Sequence, residues 1–226
     1  MSQLILTLFN AVVSDALNAA HFAAASTGAT TASEMLRAIT EQRQAVAANL
    51  LLDELKLGRR TLENAELPPS VAIFHRIQRA AEEGAALLNL RLLAGVFAGQ
   101  VVHRSIAADD FLYLADILAP LKREEVIVLG TFARLQADSN LQPDSARDLQ
   151  LKVLEELVPH VFYNDDAFMA TAGALLRTGF LMESVPPANY AAQMSGFIYR
   201  PTHLLGRLRG LLDIEGVVKR HDDSKG

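Results

Sequence analysis

The fold is decided by a stretch near the C-terminus that reads NDDAFMATAGALLRTGFLME, from Asn164 to Glu183. An asparagine followed by two aspartates is typical of a helix start. The Asn164 side chain can accept a free backbone N–H, and the carboxylates favour the positive end of the helix dipole. We expect this helix to end near Gly179 and a short strand to follow it.

A second extended segment, FIYR, lies downstream at Phe197–Arg200. A loop with two adjacent prolines, Pro186-Pro187, separates it from the first strand, so the two strands form a hairpin. Thr202 is a suitable N-cap for a last helix at about His203–Leu212. The order helix, strand, loop, strand, helix is the layout of a winged-helix module. In members that bind DNA, the helix before the hairpin reads the groove.

Composition favours an all-α protein. Half of the 226 residues are hydrophobic, and Ala and Leu, which are strong helix formers, dominate that half. There is no cysteine, which excludes disulfides, thiolate metal sites and cysteine nucleophiles and fits a reducing, cytoplasmic setting. The formal net charge is −5, and residues 107–226 carry all of that excess. A general nucleic-acid binder would show a basic surplus instead.

The first half of the chain predicts a helical domain over residues 1–106. A first amphipathic helix is expected from about Leu4 to Phe22, without the basic segment that opens a secretory signal. Thr31 and Glu34 have the spacing of a capping box at the start of a second helix, which Gly58 would end.

One long helix is expected from about Val71 to Val102, and its second half is almost entirely apolar. Such a segment is either buried in a core or inserted in a membrane. We favour the core, because Arg91 lies near its middle and would cost about 2.5–3.5 kcal/mol in a bilayer. We expect Asn89 and Arg91 to be satisfied by carbonyl groups of neighbouring loops.

In the second half, residues 107–226, the sequence predicts three shorter helices before Asn164. They lie at about 111–118, 122–135 and 144–157. Asp109 and Asp110 supply an acidic first turn to the first of these. Only Arg220–Gly226 looks like an unstructured tail.

No catalytic or metal-binding motif is present. The sequence contains no nucleophile elbow and no phosphate-binding loop. The densest polar group comprises Glu155, Glu156, His160, Asp165 and Asp166, but Pro159 interrupts the helical spacing between Glu156 and His160. We therefore expect no enzyme activity, no cofactor and no metal ion.

The candidate contact residues for nucleic acid or a protein partner are basic, and they lie in or after the predicted helix that begins at Asn164. They are Arg177, Arg200, His203, Arg207 and Arg209. The predicted groove-reading helix itself begins with two aspartates, which repel phosphate, so DNA binding is the less favoured alternative.

Four stretches together carry a resemblance: Asn49–Gly58, Arg79–Ala94, Leu175–Leu181 and Tyr199–Gly206. On these, the chain resembles uncharacterised bacterial and phage-associated helical proteins whose C-terminal part looks winged-helix-like. Distant relatives of that group are associated with abortive phage infection. The resemblance implies a link to phage response or a mobile element, and it implies no catalytic residues.

The sequence thus predicts an all-α protein with an N-terminal helical bundle and a C-terminal winged-helix-like module that contains a short β-hairpin. The leading functional hypothesis is a non-enzymatic protein–protein interaction protein that binds a protein partner or associates with itself. The alternatives are a winged-helix DNA-binding regulator and a membrane-associated helical protein.

Overall fold

A computed structural model describes residues 32–57, 67–103, 107–138, 146–184 and 197–224. The chain divides into two compact units, Met1–Pro120 and Leu121–Gly226. The described residues are mostly helical, with one small antiparallel sheet, which confirms the predicted helical class.

The N-terminal unit is built from four helices in the described residues. They are α1 (Ala32–Leu57), α2 (Leu67–Glu82), α3 (Leu87–His103) and α4 (Ala108–Leu118). Helix α1 packs on α2 and α3, and α4 packs on the same two helices. The sequence placed the domain boundary after residue 106, whereas the unit here extends to Pro120 because α4 packs within it.

Helix α3 forms the centre of this unit. From Leu88 to Val101 every residue is buried except Arg91, which is half-buried. This is the core environment predicted for the apolar segment. Among the described residues, no helix is both long enough and apolar enough to cross a membrane.

The single long helix expected over 71–102 is wrong, because the chain breaks between α2 and α3 at Gly84. Gly84 has a left-handed φ of 92°. The Ala85 N–H donates to the Ala80 carbonyl at 2.9 Å, and the Gly84 N–H donates to the Ala81 carbonyl at 3.1 Å. These two bonds form a Schellman motif, which ends a helix where glycine can adopt positive φ.

The buried amide of Asn89 is satisfied as the sequence predicted. Its Nδ2 donates to the carbonyl oxygens of Leu118 at 2.7 Å and Ala119 at 2.9 Å. The last carbonyls of a helix have no partner within the helix, so Asn89 satisfies two of them and joins α3 to the C-terminus of α4.

The C-terminal unit contains five helices and a hairpin in its described residues. They are α5 (Arg123–Ala137), α6 (Ala146–Leu157), α7 (Asp165–Ala174), β1 (Leu181–Ser184), β2 (Ile198–Pro201), α8 (His203–Leu211) and α9 (Ile214–Asp223). A 3-10 turn, Leu175–Thr178, follows α7 directly. Helix α5 is the centre of the unit, since α6, α7, α8, α9 and β2 all pack on it.

The two strands pair in antiparallel register, with Met182 opposite Arg200 and Glu183 opposite Tyr199. This confirms the predicted hairpin. Thr202 precedes α8 as expected, but its hydroxyl donates to the Gly179 carbonyl at 2.7 Å and forms no cap on the helix. The predicted side-chain cap at Thr202 is therefore wrong, because the hydroxyl instead ties the start of α8 to the chain before β1.

The predicted tail at Arg220–Gly226 is also wrong over the residues that the structure describes. Helix α9 runs to Asp223, and the Asp213 carboxylate accepts the Gly216 N–H at its start. Ile214, Val217 and His221 form its buried stripe against α5. That spacing of three and four residues marks one face of a helix.

Three expectations lie outside the described residues. They are the first helix at Leu4–Phe22, the hydroxyl cap at Thr31 and the stop at Gly58. Helix α1 itself, Ala32–Leu57, agrees with the second predicted helix.

Candidate functional site

The sequence predicted a recognition surface on helix α7 and on the hairpin that follows it. The Asn164 side-chain oxygen accepts the Ala167 N–H at 2.9 Å, which fixes the start of α7 as predicted. Phe168 and Ala172 turn inward and are buried. Asp165 and Asp166 are exposed in the first turn, so the outer surface at the start of α7 is acidic.

Arg177, the basic residue at the end of this segment, is engaged within the protein. Its Nη1 and Nη2 donate to the two carboxylate oxygens of Glu125 at 2.6 and 2.9 Å. Nη1 also donates to the Ala174 carbonyl at the end of α7. A bidentate arginine–carboxylate pair is among the stronger polar contacts in proteins, so this guanidinium has a structural role.

Glu125 lies at the start of α5, where its carboxylate reaches back to the backbone of the N-cap residue, Lys122. Its Oε2 accepts the Lys122 N–H at 2.9 Å. Burial of the carboxyl disfavours its ionised form, but the hydrogen bonds from Arg177 and Lys122 outweigh burial. The pKa of Glu125 therefore lies below its usual range. The same pair raises the pKa of Arg177.

The outer edge of β2 is closed by a side chain. The buried Gln150 of α6 accepts the Tyr199 N–H through Oε1 at 2.6 Å and donates through Nε2 to the Phe197 carbonyl at 3.3 Å. An amide side chain thus makes the two bonds that a neighbouring strand would make. This closes an edge that would otherwise be open to pairing with another chain.

Tyr199 turns from β2 towards α7. Its hydroxyl lies 3.1 Å from where a Cβ would stand on Gly173, so the absence of a side chain there favours this close approach. Burial, together with the negative charge of Glu183 opposite it, raises the pKa of Tyr199. The tyrosine therefore stays neutral and packs the hairpin on α7.

The other four predicted contact residues lie on β2 and α8, and all four are exposed: Arg200, His203, Arg207 and Arg209. His203 and Arg207 are four residues apart and share one face of α8. Arg207 already takes part in an interaction within the chain. The structure thus separates Arg177, which is paired with Glu125, from these four.

A groove of about 440 Å³ lies between the C-terminal half of α5 and the junction of α8 with α9. Gly130, Ala133, Ala137, Leu212 and Ile214 supply its apolar lining. Its charged lining residues are Arg134, Asp138, Arg209, Asp213 and Glu215. Arg209 is the one predicted contact residue that borders it.

Arg134 holds three helices together beside this groove. Its guanidinium donates to Glu215 of α9 at 2.7 Å and to Glu156 of α6. The hydrogen bond with Glu156 and then that with Glu215 raise the pKa of Arg134 against the opposing effect of burial. Gly130, one turn earlier, lets α9 approach, since a Cβ there would lie 2.9 Å from Glu215 Cγ and 3.3 Å from Ile214 Cγ2.

The polar residues Glu155, Glu156, His160, Asp165 and Asp166 do not converge on a metal site. Within the described ranges, no group of three or more His, Asp or Glu side chains could hold a metal ion. Glu156 instead pairs with Arg134, and Asp165 and Asp166 occupy the first turn of α7.

Sequence reasoning missed Gln150, Glu125 and Arg134, which organise the unit. Gln150 is separated from its partner Tyr199 by 49 residues, and Glu125 from Arg177 by 52. A local pattern carries no signal for such pairs. Glu125 stands three residues after Lys122 at a helix start, but lysine has no side-chain acceptor, so the sequence shows no capping box there either.

The comparisons with known proteins give no relative. No protein-family model matches the chain, and neither a curated protein nor a solved structure matches it.

Proposed function

We propose that the chain is a non-enzymatic interaction protein whose C-terminal unit is a winged-helix-like module that recognises a protein partner. The winged-helix assignment is supported by element order. Three helices, α5, α6 and α7, are followed by an antiparallel hairpin whose second strand packs on α6. The closure of β2 by Gln150 takes the place of a third strand.

The charge of α7 is the observation that carries the proposal. In DNA-binding members of this architecture, the helix before the hairpin enters the groove and lies between phosphates. Here its exposed first turn carries Asp165 and Asp166, which repel phosphate. Its terminal cation, Arg177, is already bound to Glu125 on two oxygens. The helix is therefore unsuited to DNA and suited to a partner with a neutral or basic surface.

Exposed aromatic and apolar side chains near the same elements support a protein partner. Tyr163, directly before the N-cap of α7, is 91% exposed, and Phe197 beside β2 is 54% exposed. Met182 on β1 is exposed as well. Aromatic residues and methionine are enriched at protein interfaces, where their burial contributes most of the binding energy.

DNA binding is the second candidate, through Arg200, His203, Arg207 and Arg209. It is supported by the side chains of Arg200 and Arg209, which are exposed and form no ion pair with any described residue. Carboxylates on the adjoining segments weaken this candidate: Glu183 on β1, Asp213 after α8 and Glu215 on α9.

Affinity capture from the native host tests the proposal, with the full chain as bait and nuclease added throughout. A stoichiometric protein partner should be recovered and should bind again when both proteins are purified. Tyr163→Ser combined with Phe197→Ser should weaken that binding by about tenfold or more. The matched control is Tyr113→Ser, which removes an exposed aromatic residue from the N-terminal unit. Equal loss in both variants, or recovery of nucleic acid alone, would overturn the proposal.

A further inference from the structure

We propose that the first turns of α1 bind the N-terminal segment of the same chain, residues 4–22, as a further helix of the N-terminal unit. The docking surface consists of Met35, Leu36 and Ile39, which are 57%, 66% and 42% exposed. Residues 4–22 lie outside the described residues, and their sequence predicts an amphipathic helix. The inference does not rest on the proposed function, which concerns the C-terminal unit.

The C-terminal half of α1 packs on α2 and α3 through one buried stripe. Ala48, Leu51 and Leu55 form this stripe and lie three and four residues apart. The same spacing continues towards the start of α1 with three polar residues: Arg37, Glu41 and Gln44. Arg37 Nε donates to Glu41 Oε1 at 2.8 Å, and Gln44 Nε2 donates to Glu82 of α2. The face that packs on α2 and α3 therefore becomes polar in the first turns of α1.

The apolar side chains of these first turns lie on another face. Ile39 is two residues from Arg37 and from Glu41, so it projects about 200° away from each of them round the helix. Met35 is one turn before Ile39 and shares its face. A helix face that meets only water normally carries polar residues. Helix α1 thus has a second apolar face, which α2 and α3 leave exposed.

The size of this surface favours an occupant from the same chain. A stable interface between separate proteins buries about 800 Å² on each partner. Even a large aromatic side chain buries only about 150–250 Å², so three partly exposed aliphatic side chains fall well short of that area. A tethered segment needs a much smaller surface, because a short tether gives an effective concentration of about 1 mM.

Residues 4–22 have both the apolar stripe and the tether that this surface requires. Leu4, Leu8 and Val12 are four residues apart and share one helical face. Only residues 23–31 separate the segment from α1, and a short connector makes neighbouring helices antiparallel. A helix over residues 4–22 would extend about 28 Å back along α1. It would therefore cover Met35 and Ile39 and end before Leu57.

Photocrosslinking of the full chain tests this arrangement. Benzoylphenylalanine replaces Gln42, an exposed residue three positions after Ile39, in one variant. In the control it replaces Val71, an exposed apolar residue at the opposite end of α2 from Glu82. Cleavage at Asp15 and Glu34 separates the segment from α1. Mass spectrometry should find the peptide that ends at Asp15 joined to the Gln42 site and not to the Val71 site.

Hydrogen exchange measures the effect of docking on the segment. Met35→Ser combined with Ile39→Ser should accelerate amide exchange in residues 4–22 by about tenfold or more. Leu57→Ser is the matched control, since Leu57 is a similarly exposed apolar residue of α1 beyond the reach of the segment. It should leave exchange in residues 4–22 unchanged. Circular dichroism checks that the variants fold alike.

Three results would overturn the docking proposal. One is the absence of a crosslink between the Gln42 site and residues 4–22. Another is a crosslink that joins two copies of the chain, which a mixture of isotope-labelled and unlabelled protein reveals as peptide pairs of mixed mass. The third is equal exchange of residues 4–22 in the unsubstituted chain and in the double variant. None of these results bears on a partner that depends on Tyr163 and Phe197.

Discussion

Arg177 donates to both carboxylate oxygens of Glu125, at 2.6 and 2.9 Å, and so joins the end of α7 to the start of α5. The Glu125 side chain is only 4% exposed, whereas that of Arg177 is 49% exposed. One partner is thus buried and depends on the other for its charge balance. The sequence suggested Arg177 as a contact residue for nucleic acid or a protein partner. In the structure its guanidinium is instead engaged by Glu125.

Replacing Arg177 with Met should destabilise the protein by about 1–3 kcal/mol, because the buried Glu125 carboxylate loses its charged donor. Solvent at the exposed side of the pair keeps the loss below that of a fully buried ion pair. Urea unfolding monitored by circular dichroism measures the effect. Arg209→Met is the matched control, and it should change stability by no more than about 0.5 kcal/mol. Equal effects from the two substitutions would contradict this role for Arg177.

The same pair predicts a pH dependence with a definite sign. The pKa of Glu125 is lowered in the folded protein, so the unfolded state binds its proton more readily. The contribution of Glu125 to stability should be complete at neutral pH. It should disappear as pH falls below the ordinary range for glutamate, about 4. Comparing Glu125→Gln with the unsubstituted chain from pH 7 to pH 3 measures it. The difference in unfolding free energy should shrink on acidification, and a constant difference would refute it.

Gly130→Ala should loosen α9, since the new Cβ would lie 2.9 Å from Glu215 Cγ. Overpacking of this kind typically costs about 1–3 kcal/mol. Hydrogen exchange followed by mass spectrometry should show lower protection in Ile214–Asp223. The matched control is Gly206→Ala on α8, where a Cβ has no heavy atom within 4 Å. That substitution should raise stability by up to about 1 kcal/mol, because alanine favours the helix. Unchanged protection of α9 in the first variant would exclude the tight approach.

Gln150→Leu should weaken the hairpin, because the Tyr199 N–H and the Phe197 carbonyl both lose their partner. Leaving one buried backbone donor unpaired costs about 1–3 kcal/mol. Gln150→Glu is the informative comparison, since it keeps the acceptor for Tyr199 and loses only the donor to Phe197. Amide exchange at Tyr199 should therefore accelerate in the leucine variant more than in the glutamate variant. The reverse order would contradict the closure of the β2 edge by this side chain.

Features that arise from neighbouring residues could be predicted from the sequence. Asn164 caps α7 as expected, and the two short strands pair where apolar segments flank a loop. The break at Gly84 was available from the same kind of reasoning. A glycine after a helix end predicts a C-terminal cap, but the continuing apolar pattern on both sides favoured one long helix.

Features that arise from distant pairs could not be predicted in this way. The sequence showed that the five candidate contact residues are basic: Arg177, Arg200, His203, Arg207 and Arg209. It could not show that Arg177, unlike the others, pairs with Glu125. That separation depends on tertiary packing of α5 against α7. The groove likewise depends on α9. The sequence did not predict this helix to its end, because its last residues are charged and were interpreted as a tail.

Under the proposed function, the C-terminal unit recognises a protein partner and does not bind DNA. Fluorescence anisotropy of a labelled random-sequence DNA duplex, titrated with the purified full chain at several salt concentrations, distinguishes these two modes of recognition. We expect no saturable binding by the unsubstituted chain. Asp165→Lys combined with Asp166→Lys should create salt-sensitive binding, because the repulsion at α7 is removed. Tight binding by the unsubstituted chain that falls steeply with salt, and that Arg207→Glu with Arg209→Glu abolishes, would contradict it.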